Sequence, residues 1–297
     1  MNKRALLSVN THARNGKDCL NEIITTLEHL DFELIVKPEQ KPDQLSKLIY
    51  QYQDQIDLVI VGGGDGTLNA VAEALFKTKL PLGILPLGTA NDLARTLNIP
   101  ESIAEAAKII AFGEIKKIDL GCVNDKYFFN VASLGLSVKI TQNLSKGAKR
   151  RWGVLAYFLI ALKVIAKTRP LRAEIRYNDQ SVKVKTLQIA IGNGRYYGGG
   201  MAIAEDAEID DQVLNLYSLE IKHWWQILPL IWGFAGGKHK YLSGVRTLKA
   251  RQIEVNTRKP YKINTDGELT TSTPASFHLI PKAISVFVPL AQEDREE

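Results

Sequence analysis

Cysteine is scarce in this chain of 297 residues: there are two, Cys19 and Cys122, 103 positions apart. That spacing matches no metal-ligand pair, and two thiols make no disulfide framework, so zinc modules and stapled secreted scaffolds are set aside and a reducing cytoplasm is expected. Histidine is thin as well, and His12, His29, His223, His239 and His278 are scattered without metal-cluster spacing. A bilayer-length apolar run is also missing. The most apolar stretch, 152–166, has Lys163 as its one charge, but it is shorter than the roughly 20 residues a spanning helix needs. Met1-Asn2-Lys3-Arg4 imitates the charged start of a signal peptide, yet the apolar run stops at Val9 and no small-residue cleavage site follows, so it reads as a first strand. No internal repeat is present.

The phosphate-loop signature G-x-x-x-x-G-K-S/T is absent too. What stands in its place is Val61-Gly62-Gly63-Gly64-Asp65-Gly66-Thr67-Leu68-Asn69, an apolar strand running into glycines and then into a helix expected to start near Thr67. Glycines let the main chain approach a phosphate, and the new helix offers N–H groups and a positive dipole end. A dinucleotide fingerprint is disfavoured, because Thr67 occupies the third-glycine place and no acid waits about 20 residues on, around Ile84 and Leu85. A tight turn without a ligand is the alternative. Asp65 weighs against that alternative, since an acid inside a phosphate loop is costly unless a cation or a transferred proton requires it. The next strand ends in a similar loop, Leu85-Pro86-Leu87-Gly88-Thr89-Ala90-Asn91-Asp92-Leu93. Two such loops on one sheet edge mark the ligand-binding crevice of α/β folds, although Thr89 or Asn91 serving simply as a helix N-cap is an equal reading.

Length favours two domains. Strand-like runs at 6–9, 34–36, 58–61 and 82–85 alternate with helical patterns such as 17–30, which predicts a parallel sheet with helices on both faces. Beyond about Asp119 period-2 strands at 173–177, 182–191, 214–219 and 253–257 predict an antiparallel β domain. Helical stretches at 149–167 and 224–234 interrupt it, and Gly198-Gly199-Gly200 marks a turn or a close approach. The strand 284–288 could close either domain, and the acidic tail 293–297 is expected to fray.

The two glycine loops resemble those of the diacylglycerol kinase catalytic family, in its bacterial YegS-like lipid kinase branch: Gly63 to Asn69 matches G-G-D-G-T-x-N, and Pro86 to Ala94 matches P-x-G-T-x-N-D-x-A. The similarity continues through Phe129-Asn130-Val131-Ala132-Ser133-Leu134-Gly135, Gly192-Asn193-Gly194 and Asp266-Gly267-Glu268, in family order. The resemblance implies a Rossmann-like nucleotide-binding domain (1–120, completed by the C-terminal strand, about 283–297), an antiparallel β-sandwich lipid-substrate domain (121–282), and an active site in the cleft. It implies an ATP-dependent kinase that phosphorylates the hydroxyl of diacylglycerol or a related lipid such as phosphatidylglycerol. The implied ATP contacts are Asn10, Gly63, Gly64, Asp65, Gly66, Thr67, Asn69 and Thr89, with Glu268 as general base and Asp65 as the residue orienting a catalytic Mg ion. A second, structural Mg ion is implied at Asp211, through its side chain, with the carbonyls of Glu208 and Val213. Asp-Gly-Glu reads equally as a hairpin turn.

The sequence departs from the family at Gln212, where glycine is usual; at Asn10-Thr11-His12-Ala13-Arg14-Asn15-Gly16, which lacks the family's proline; and at Pro38 in place of a threonine. Lys and Arg outnumber Asp and Glu by 38 to 32, which suits a phosphorylated ligand or an anionic membrane. The basic run 146–151 leading into the apolar stretch could contact a membrane peripherally at its inner face, or form a buried helix. The same choice holds for 224–232. No nucleic-acid partner is expected, and a homodimer stays open. The rival functions are an NAD kinase-like metabolite kinase and a non-catalytic nucleotide- or lipid-binding regulator.

Overall fold

The computed structural model describes residues 3–10, 19–37, 42–143, 168–197, 201–202, 207–221 and 244–290. Residues 11–18, Pro38, the stretches 146–166 and 224–234, the triple glycine and the acidic tail lie outside them. The chain forms two compact units, one drawn from 1–120 and 281–297, the other from 121–197 and 201–280.

The first unit contains β1 (Lys3–Val9), α1 (Leu20–Glu28), β2 (Phe32–Val36), α2 (Pro42–Tyr52), β3 (Leu58–Gly63), α3 (Asp65–Thr78), β4 (Leu82–Pro86), α4 (Asp92–Thr96) and α5 (Ile103–Phe112). Its strands lie parallel in the order β2-β1-β3-β4. The middle strand β3 opens with an unbroken apolar run, and Leu58, Val59, Ile60 and Val61 are each at most 1% exposed. A parallel strand covered on both faces requires such a run. Chain direction reverses between β1 and β3, because β2 lies to one side of β1 and β3 to the other. Right-handed crossovers then place α1 on one face and α2 and α3 on the other. The packing agrees: α1 pairs with α5 and α2 with α3. The loops after β1 and β3 thus diverge at a topological switch point.

The chain continues through β5 (Glu114–Val123), which begins in the first unit and ends in the second, then β6 (Lys126–Phe128), β7 (Val131–Gly135), α6 (Leu136–Asn143), β8 (Leu171–Tyr177), β9 (Gln180–Thr186), β10 (Gln188–Gly192), β11 (Tyr196–Tyr197), β12 (Met201–Ala202), β13 (Leu214–Leu219), β14 (Val245–Ala250), β15 (Gln252–Thr257), β16 (Lys262–Thr265), β17 (Glu268–Ser272) and β18 (Ala275–Val288). In the second unit an antiparallel sheet runs β14-β13-β10-β7-β16-β17, and the first part of β18 pairs with β15, which pairs with β8 and β8 with β9. Alternate residues of both sheets, among them Leu134, Ile189, Leu216 and Ile263 from one and Ile175, Val184, Val255 and Phe277 from the other, bury into one apolar cluster. That is a β-sandwich core.

Three local expectations change. The helix after the glycine loop starts at Asp65, two residues before Thr67. The run 182–191 is two strands broken at Leu187: the Thr186 hydroxyl contacts the carbonyls of Gln188 and Leu219, and Leu187 N–H turns to Leu219 O. The closing strand is longer than 284–288 and serves both units, pairing Phe277 with Ile253 antiparallel and Val286 with Leu82 parallel. Where it changes unit, Lys282 has φ +49°, and its N–H donates to the carboxylate of fully buried Asp119 at 2.7 Å. Both cysteines are free thiols, and burial pushes that of Cys122 up.

The bond at the kink gives a test. Asp119→Ala leaves the Lys282 N–H without this acceptor and is expected to destabilise the protein by about 1–3 kcal/mol, read as a lower urea midpoint. An unchanged midpoint would mean that the kink holds without it.

Candidate functional site

Within the first unit, the loops after β1, β3 and β4 meet. Asn10 N–H donates to Gly62 O at 2.8 Å and its side-chain amide donates to Thr67 Oγ1 at 3.1 Å, which joins the first loop to the glycine loop. Leu87 N–H donates to Gly63 O at 3.0 Å, which joins the glycine loop to the third. Gly64 and Gly88 then face each other so closely that a Cβ on Gly88 would stand 2.5 Å from Gly64 Cα. A side chain at Gly88 would therefore part the loops.

The sharpest feature is the Asp65 carboxylate. It accepts N–H bonds from Asp92 (Oδ2, 3.1 Å) and Leu93 (Oδ1, 3.0 Å), the first two residues of α4. An aspartate from another loop is thus the N-terminal cap of α4. The nominal cap residue, Asn91, makes no side-chain cap bond and has left-handed backbone, φ 52° and ψ 41°. Its amide instead closes a reciprocal pair with Gly88, accepting from Gly88 N–H at 2.9 Å and donating to Gly88 O at 3.3 Å. Simple capping by Thr89 or Asn91 is therefore corrected. Thr89 is exposed and Asn91 is a loop brace.

Gly63, Gly64, Asp65, Gly66, Thr67 and Asn69 lie along the end of β3 and the first turns of α3, with Asn10 and Thr89 on the flanking loops. In that turn Thr67 and Leu68 N–H both bond to Gly64 O. A 14-residue helix opening from glycine backbone is a ready anion site.

Glu268 belongs to the second unit and is the first residue of β17, exposed. Asp266 and Gly267 form the two-residue turn before it, with φ of +47° and +103° and Thr265 opposite Glu268. Positive φ at both positions is the type I′ hairpin preference of Asp-Gly. The hairpin reading therefore holds, and it leaves Glu268 available at the turn's end.

Sequence reading passed over Asp266. Its buried carboxylate accepts three main-chain N–H bonds, from Phe129 (2.6 Å), Asn130 (3.0 Å) and Val131 (3.0 Å), and its own N–H donates to Val131 O. Asn193 grips the same connector from its carbonyl side, through its amide to Phe129 O at 3.0 Å and its N–H to Asn130 O at 2.9 Å. Three motifs widely separated in sequence thus form one bonded cluster. The available signal was that each motif carries an Asn or Asp: Asn130, Asn193 and Asp266.

Glu208, Asp211 and Val213 come together in the turn before β13. Asp211 accepts from Val213 N–H at 2.9 Å and from Glu208 N–H at 3.3 Å, and Gln212 takes φ +60° without being glycine. A left-handed residue of this kind costs about 1–2 kcal/mol. The backbone conformation suited to glycine is therefore kept, while the carboxylate is turned to N–H groups. Among the described residues no group of three or more His, Cys, Asp or Glu could hold a metal, so a cation in this turn would depend on main-chain carbonyls. Carboxylate oxygens are hard donors, and in donor type both Asp65 and Asp211 fit a hard cation.

The diacylglycerol kinase catalytic domain model matches residues 4–123, and the YegS C-terminal NAD kinase beta sandwich-like domain model matches residues 130–288. The chain belongs to the diacylglycerol kinase family, in its YegS-like branch. It is 32% identical over 283 residues to a protein of Klebsiella pneumoniae (strain 342) named as a YegS-like lipid kinase, covering 93% of this chain and 94% of that one. It is 30% identical over 238 residues to a diacylglycerol kinase of Bacillus subtilis (strain 168), covering 79% and 78%. A solved protein of Bacillus anthracis str. Sterne assigned as a diacylglycerol kinase superposes with a TM-score of 0.81 at 26% identity, covering 96% of this chain and 95% of that one. This chain is accordingly a lipid kinase, a phosphotransferase with an alcohol group as acceptor and ATP as phosphoryl donor. Among the described residues no helix is long and apolar enough to cross a membrane.

Asp65→Ala removes the acceptor of two main-chain N–H groups and is expected to destabilise the ligand-free protein by about 2 kcal/mol or more. Urea unfolding without nucleotide or metal checks it. A residue that served a cation alone would leave that curve unmoved.

Proposed function

We propose that this kinase transfers the γ-phosphoryl group of Mg-ATP to the free hydroxyl of diacylglycerol or a related lipid such as phosphatidylglycerol, working at the membrane surface as a peripheral enzyme. The observation that carries the proposal is the pair of hydrogen bonds that the Asp65 carboxylate accepts from Asp92 and Leu93 N–H, which joins the two glycine loops at the carboxyl edge of a parallel sheet. The diacylglycerol kinase name of the Bacillus subtilis relative supports the acceptor.

In this reading the main chain of 63–67 receives the phosphates at the start of α3, with Asn10, Asn69 and Thr89 lining the approach. Asn10 holds the Thr67 hydroxyl in place. Phosphoryl transfer proceeds through a loose transition state, so positioning and charge neutralisation supply most of the rate. Mg bound with the triphosphate would neutralise charge on the phosphoryl oxygens, and the Asp65 carboxylate, a hard oxygen donor, suits it as a direct or water-mediated partner. Glu268 takes the proton of the lipid hydroxyl as the new P–O bond forms, a contribution of roughly 10² to 10⁴ in rate.

The test is transfer of labelled γ-phosphate to a panel of diacylglycerol, phosphatidylglycerol, sphingosine and NAD. Labelled diacylglycerol product is expected, with Glu268→Gln slowing its formation about 10²-fold or more while ATP binding persists. Label in NAD alone would overturn the acceptor assignment, and an active Glu268→Gln would remove the base from its role.

We also propose the second Mg site at Asp211, with the Glu208 and Val213 carbonyls. MgCl2 is expected to raise the Tm of the nucleotide-free protein, and Asp211→Ala to abolish that rise. Equal Tm with and without Mg2+ in the wild type would discard the site.

A further inference from the structure

We propose that Asp266 is a positioning residue for Glu268, and that the buried cluster it forms with Phe129, Asn130, Val131 and Asn193 exists to fix where that base stands. The inference rests on the assignment of Glu268 as general base.

Glu268 is exposed, so the hairpin backbone bears the burden of placing it. That hairpin is only two residues long, and its first residue is held from outside the hairpin. The Asp266 carboxylate gathers three consecutive N–H groups of the 129–131 connector, one on Oδ2 and two on Oδ1, while Asp266 N–H returns to Val131 O. β7, which begins at Val131, pairs with β16 through Ala132 opposite Thr265 and Leu134 opposite Ile263. The turn is thereby tied at its corner and along its first strand. Asn264 adds a further tie by accepting from Gly267 N–H at 2.8 Å.

The connector is fixed in turn by Asn193, which holds the carbonyls of Phe129 and Asn130. Main-chain donors face Asp266 and main-chain acceptors face Asn193, so both sides of a two-residue link between strands are engaged. A short hairpin needs no such support to exist, because Asp-Gly alone favours the type I′ turn. The excess constraint makes sense where a displacement of about 1 Å costs catalysis a large factor.

The chemistry identifies a clean variant. Asn tolerates left-handed backbone and Asn-Gly favours the same turn, so Asp266→Asn keeps the hairpin. Its amide offers one oxygen and an NH2 donor where the carboxylate offers two acceptors, so at least one N–H of the connector loses its partner and the charge assistance goes.

Steady-state transfer is measured for wild type, Asp266→Asn, Glu268→Gln and the double variant, with KM for ATP followed in each. Asp266→Asn is expected to lower kcat by about tenfold or more with KM for ATP within about twofold, since the proposed ATP contacts all lie on the first unit. In the Glu268→Gln background the same change is expected to cost less than about twofold, the non-additivity of residues that act as one. Equal losses in both backgrounds, or no loss in kcat, would overturn the positioning role while leaving Glu268 as base. Full activity of Glu268→Gln would instead overturn the base assignment on which this role depends. Gly267→Ala supplies a second variant should Asp266→Asn fail to fold. Its Cβ would meet nothing within 4 Å, so it strains only the φ of the turn. The same kcat loss, absent in the Glu268→Gln background, is expected, and equal loss in both backgrounds would again overturn the role.

Discussion

The first unit depends on one carboxylate reaching across two loops. The chain turns sharply after β3 and again after β4, and each turn leaves main-chain N–H groups at the start of a helix that the helix cannot satisfy. For α4 the deficit is met by Asp65, 27 positions earlier in the chain than Asp92. The bond requires the loops to touch, which is why glycine stands at 64 and 88: a Cβ at Gly88 would lie 2.5 Å from the opposite main chain. The acid, the glycines and the buried cap are parts of one constraint. The same device recurs in the second unit, where Asp266 spends its charge on three N–H groups.

This accounts for what the sequence could and could not reveal. The alternation of apolar runs and amphipathic segments was enough for the parallel sheet, because fully buried strands must be apolar, and period-2 patterning was enough for the antiparallel one. Partnership across distance was not legible. An acid in a glycine loop suggested a cation, since no local group offset its charge; the groups that do so are N–H donors of α4, invisible before folding. The break at Leu187 is set by a threonine hydroxyl bonded to the carbonyl of Leu219, and hydrophobic periodicity does not register such bonds. The final strand was ambiguous because it serves both units, and its register switches where Asp119 catches Lys282.

The motifs shared with other lipid kinases take on physical roles of different kinds. Gly63, Gly64 and Gly88 are there for what a side chain would displace. Asn91 braces backbone by donating and accepting at once, which an amide can do and a carboxylate cannot, while Asn193 donates to two carbonyls. Asp65 and Asp266 collect donors. Glu268 stands exposed at the end of its turn, which suits the proposed role of receiving a proton from a substrate.

The distribution of charge also decides where an anionic ligand can sit. Of the helices that follow the strands of the first sheet, α3 and α4 start at the two glycine loops, and each presents a positive dipole end. The one at α4 is already met by the Asp65 carboxylate, and α4 spans only five residues. The one at α3 opens from glycine backbone, spans 14 residues, and meets its own Thr67 and Leu68 N–H groups with Gly64 O. In the proposed reading the phosphates therefore meet α3, with Gly66 at its first turn, rather than α4, whose first N–H groups already face the Asp65 carboxylate. On the proposed reading, the carboxylate that secures the second loop also favours the first as the place for the triphosphate.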